Sequence, residues 1–124
     1  AAESASSESD NVDDYTGTTP SVIKILSETH DVDSWADALT VAVATILRDV
    51  DEPEHITDID GRTRSYFVED GQQSDLFKPR RIPDTNLYLE TNFSANDCVR
   101  KIEQVMTKYG YDRTELEVFT EEAL

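Results

Sequence analysis

Two stretches of this sequence repeat their apolar residues at helical spacing, and both open on Ser-x-x-Asp. In the first, Ser34 with Asp37 three residues on approximates a capping box, and Trp35, Ala38, Leu39, Ala42, Val43, Ile46 and Val50 follow along one face. Asp51-Glu52-Pro53 ends it, because proline has no amide hydrogen and restricts the residue before it. In the second, Ser94 is the cap, Cys98, Ile102, Val105, Met106 and Tyr109 share a face, and Gly110 is the left-handed stop on which Tyr111 folds back. Two one-sided helices need a sheet to cover their apolar faces.

Short β-branched or alternating runs supply its strands. Ser21 to Leu26 follows Pro20 as a first strand, and Arg62 to Val68 alternates as a second. Leu76 to Ile82 reads as a short edge strand, since Pro79 cannot donate to an interior ladder. Asn86 to Thr91 and Thr114 to Thr120 complete the set. The order is strand, helix, strand, edge strand, strand, helix, strand, which predicts an α+β fold. It is a two-layer α/β sandwich in ferredoxin-like split βαβ order, with two helices on one face of a mainly antiparallel sheet. The alternative pairs Thr29 to Val32 with the first strand as a hairpin before the first helix. Ala1 to Pro20 offers only Val12 and Tyr15 for burial, so residues 1–20 are expected to be a disordered acidic arm and 21–124 a single domain. The start at Ala rather than Met suggests processing or a fragment of a longer chain.

Charge narrows the function. The chain carries 27 acidic and 11 basic side chains, a net charge of −16, with four Lys beside seven Arg. This composition resembles that of proteins from salt-accumulating halophilic archaea, where concentrated salt screens the self-repulsion. No apolar run could cross a membrane and no secretory signal is present, so the expected location is cytoplasmic. Against this bias, the window Arg62–Arg81 holds five bases and three acids, a net of +2. Arg62, Arg64, Lys78, Arg80 and Arg81 alternate there with Tyr66, Phe67 and Phe77. Guanidinium forks grip phosphates bidentately and exposed rings stack on bases, so Arg62, Arg64, Tyr66, Phe77, Lys78, Arg80 and Arg81 are the candidate nucleic-acid or anion site. The competing reading pairs these cations with the chain's own carboxylates and puts the rings in the core.

Other motifs lead to bland assignments. Asp51 to Asp60 is an acidic loop that fails the calcium-loop template, because Ile56 and Phe67 fall at ligand positions. Cys98 is expected in the core, His30 and His55 in exposed turns, and two histidines with one cysteine make no zinc site. Glu90 ends a strand, but no lysine at 92 completes a nuclease set. No phosphate-cradling loop or nucleophile elbow occurs, so no catalytic residue, metal or cofactor is assigned.

Ser34-Trp35, Arg64-Ser-Tyr-Phe67, Ile82-Pro83 and Asn86 to Ala95 together resemble, over residues 34–111, a small accessory domain of prokaryotic proteins linked to restriction and mobile elements. That resemblance transfers no activity. The sequence thus points to a non-catalytic binding module with nucleic acid as its leading partner. A protein-interaction or regulatory module that binds an acidic protein is the alternative, and a small hydrolase comes third.

Overall fold

The computed structural model describes Tyr15, residues 17–59 and residues 66–121. Its six strands and two α-helices among these residues make an α+β fold of antiparallel strands. β1 (Thr19–Ile25) and β2 (Glu28–Asp31) form a hairpin with Ile25 opposite Glu28. Leu26 and Ser27 close it with φ of 51° and 71°, the double positive φ of a type I′ turn. β6 (Leu116–Glu121) pairs with the other side of β1, giving a sheet ordered β2-β1-β6. β3 (Phe67–Glu69), β4 (Pro79–Arg81) and β5 (Leu87–Glu90) make a second sheet ordered β3-β5-β4. The strands therefore divide into two three-stranded sheets, and the hairpin that forms is the alternative pairing rather than the ferredoxin-like order.

α1 (Trp35–Arg48) and α2 (Ala95–Lys108) pack against each other, α1 also lies against β1, and the helices and strands share one core, consistent with the expected two-layer α/β arrangement. The Ser34 hydroxyl accepts from the Asp37 amide, and the Ser94 hydroxyl from the Asp97 amide, so both caps form as their residue types require. α2 ends in a Schellman motif: Gly110, at φ 83°, donates to Thr107 and Tyr111 donates to Met106. Ile23 and Ile25 from β1, Leu39 and Ile46 from α1, Ile102 from α2 and Leu89 from β5 are fully buried in one continuous core. Each such side chain contributes about 1.5–3 kcal/mol by leaving water.

Several expected boundaries move. The first strand starts at Thr19 rather than Ser21, Pro20 is fully buried, and Tyr15 meets Trp35 edge to face with centroids 5.2 Å apart. Trp35 also donates from Nε1 to the Thr18 carbonyl at 2.8 Å. Tyr15 and residues 18–20 thus make contacts within the fold; residues 1–14 and 16 lie outside the described residues. The strand expected over Arg62–Val68 is described from Phe67, its residues 62–65 lying outside the described residues, and the edge strand expected over Leu76–Ile82 shortens to Pro79–Arg81 because the Phe77 and Lys78 amides donate to the Glu90 carboxylate rather than to a neighbouring strand. His30 is a strand residue rather than a turn residue, half-buried with Nε2 near Glu28 and the Thr45 hydroxyl.

Candidate nucleic-acid interface

One end of the second sheet is organised around Glu90. Strand alternation places Glu90 on the face opposite Leu87 and Leu89, yet it is only 3% exposed. The chain folds over it from both sides. Its Oε1 accepts from the Phe77 amide at 2.8 Å, and its Oε2 accepts from the amides of Lys78 at 2.9 Å and Asn92 at 3.0 Å. Three backbone donors replace the water a carboxylate loses on burial. Thr91 adds a further tie, donating from both its amide and its hydroxyl to the Lys78 carbonyl. The loop before β4 is thereby fixed against the loop after β5. On it stands Phe77, 69% exposed, beside Lys78, which enters no ion pair among the described residues.

Tyr66 lies at the same sheet end, its carbonyl accepting from the Glu90 amide at 2.8 Å. Its ring meets Phe93 edge to face with centroids 5.2 Å apart, and the Lys101 ammonium of α2 lies 4.1 Å from the Tyr66 centroid. Partial burial of Lys101 holds its pKa below the usual lysine value, opposed by nearby Asp97 and reinforced by Arg100. Tyr66 therefore has a cation on its ring, and Lys101 brings a charge from a distant helix to the window's aromatic residue.

The remaining window residues disperse. Arg62 and Arg64 lie outside the described residues. Arg80 is paired across the sheet with Leu89, on the core-facing side, and reaches over the rim to Asp37 of α1 at 3.5 Å. Arg81, one residue on, turns to the outer face and donates from Nε to the Thr85 carbonyl. Phe67 is core. The fold places Tyr66 and the Phe77-Lys78 pair at the same end of the second sheet, on either side of Glu90, and leaves Arg80 and Arg81 engaged elsewhere. Sequence reasoning missed Glu90, Phe93 and Lys101 as parts of this surface, because each arrives by a tertiary contact that no local pattern encodes.

The opposite end of the sheet is acidic. An open cleft of about 540 Å³ there is lined by Glu54, Glu69, Asp70 and Asp84 among others. The length of β5, at about 3.3 Å per residue, keeps this end roughly 10 Å or more from Glu90. On the neighbouring exposed 3-10 turn, Glu52, Glu54 and His55 bring ligand atoms within 4.8 Å of one another, a grouping common in so acidic a chain. Cys98 is buried, and burial with Asp97 beside it pushes its thiol up to about 11.

The profile of the SeqA protein C-terminal domain matches residues 38–122, more than two thirds of the chain, from the first turn of α1 through β6. The chain belongs to the SeqA C-terminal domain family. That domain is a DNA-binding one, which gives the chain a nucleic-acid-binding character. The match overturns the resemblance to a restriction-linked accessory domain: of the residues quoted for it, all but Ser34-Trp35 fall inside the SeqA domain. Nor does family membership support a haloarchaeal source; the acidity stands as a property of the chain alone. No curated protein and no solved structure matches the chain. Among the described residues, no helix is long and apolar enough to cross a membrane.

Proposed function

We propose that this chain is a non-catalytic, cytoplasmic DNA-binding module that holds a duplex at the sheet end carrying Tyr66, Phe77, Lys78 and Lys101. Arg62 and Arg64, four and two residues before Tyr66, supply the bidentate contacts. The observation that carries this reading is the coincidence of family with charge: the SeqA domain spans the one window whose net charge opposes the rest of the chain. Lys78 and the two arginines grip phosphates or guanine edges, and Phe77 makes apolar contact with sugars or thymine methyls. Arg80 and Arg81 have a secondary part, since each already serves an internal acceptor.

A chain of net charge −16 can approach DNA because its charge is segregated. At 0.1 M salt the Debye length is about 10 Å, so phosphates at the Glu90 end are screened from the acidic cleft. The family is a GATC-binding one, which makes a duplex carrying GATC the first probe. Fluorescence anisotropy with that labelled duplex should show R62Q/R64Q/K78Q weakened by at least about a hundredfold, at roughly 1 to 3 kcal/mol per lost contact, and R80Q/R81Q by much less. Undiminished binding by the folded triple variant overturns the assignment, and copurification with an acidic protein instead would give the arginines to a protein partner.

A further inference from the structure

We infer that Glu90 is the positioning residue of the DNA-binding surface: its buried carboxylate sets the backbone of Phe77 and Lys78 so that the lysine meets a phosphate. The inference rests on the DNA-binding reading. An acidic side chain is the last residue expected beneath a phosphate-binding loop, unless it does something there that a neutral residue cannot. At 3% exposure Glu90 adds nothing to solubility, and its two oxygens are aimed at three amides rather than at solvent. Those amides belong to two loops, 77–78 and 92, separated in sequence by β4 and β5, so this one carboxylate joins the two halves of the surface. Lys78 has four rotatable bonds in its stem, and a fixed backbone is what limits the volume its ammonium explores. Thr91 holds the same loop from the solvent side through the Lys78 carbonyl.

Glu90→Gln keeps the size of the side chain but faces at least one amide with an NH₂ group, and Thr91→Val weakens the outer tie, removing its hydroxyl bond to the Lys78 carbonyl while the amide bond and the buried carboxylate stay. Each is compared with wild type in the presence and absence of Lys78→Gln, by anisotropy on the GATC duplex from 50 to 300 mM KCl. If Glu90 positions Lys78, E90Q loses about one phosphate contact: the slope of log affinity against log salt falls by about 0.9, which is roughly tenfold in affinity at 0.1 M salt. T91V shifts the slope in the same direction. In the K78Q background neither substitution changes the slope further. A merely structural role would lower the active fraction and leave the slope alone. Amide exchange at Phe77, Lys78 and Asn92 in free E90Q should be faster than in wild type. The inference is overturned if folded E90Q keeps the wild-type slope, or if T91V does so where E90Q does not fold. It is equally overturned if the slope falls as far in the K78Q background. Failure of wild type to bind the duplex removes the DNA-binding reading and this inference together, whereas a binding wild type with unshifted variants removes the inference alone.

Discussion

Glu90 and Cys98 are both buried, one satisfied by three amides and the other by apolar neighbours. Only the second was legible in the sequence. Cys98 falls on the helical apolar stripe, but Glu90 occupies a strand position that alternation assigns to solvent, and it is covered by loops remote in the chain. Cys98 also sets a pH dependence. Its thiol ionises near 9 when unfolded and is pushed up to about 11 in the native state, by burial first and Asp97 second. Above pH 9 the unfolded state therefore holds fewer protons, and stability falls as pH rises through that window. By pH 10 the loss is about 1 kcal/mol. Tyr111, hydrogen-bonded to Asp49, and Tyr109, desolvated, are both pushed up to about 12 and extend the fall above pH 10. Urea unfolding at pH 8 and 10 checks this: C98A should lose about 1 kcal/mol less between the two than wild type. Equal losses would contradict it.

At the scale of elements, both helices were readable because local chemistry and tertiary role agree: each cap, each apolar stripe and the Gly110 stop is where its residue type predicts. Ser94→Ala should cost about 1 kcal/mol in thermal or chemical unfolding. The β1–β2 hairpin was legible only as an alternative. A two-residue turn of this kind favours Asn-Gly, and this chain places Leu26-Ser27 in the left-handed region instead, so the usual signal is missing. Leu26 compensates by packing on the core and by donating its amide to the Glu115 carbonyl. Ser27, exposed, has no such return. Ser27→Gly should therefore stabilise the protein by about 1 kcal/mol, read from the urea midpoint at unchanged m-value. A destabilised S27G would mean that the turn is not in the conformation described here. The edge strand β4 was misjudged in length, because only Pro79–Arg81 pair with β5.

For the whole molecule, charge is both a burden and a guide. With −16 over 124 residues, added salt should stabilise the compact state by screening, and the thermal midpoint in 1 M KCl should exceed that in 20 mM buffer. Equal midpoints would show that the carboxylates are already far enough apart not to matter. The sequence located the basic window but not its shape. Successive strand residues face opposite ways, so Arg80 and Arg81 could not share a surface, while Lys101 joined from α2. What remains is a molecule polarised along its second sheet, cationic and aromatic around Glu90 and acidic around Asp84. The most direct test of that account is to titrate the ¹⁵N-labelled protein with the GATC duplex and map the amide shifts. Binding at the proposed surface predicts the largest changes at Tyr66, Phe77, Lys78 and Asn92, with Glu54, Glu69 and Asp84 unmoved. Changes centred on the acidic cleft, or none anywhere at saturating duplex, would contradict it.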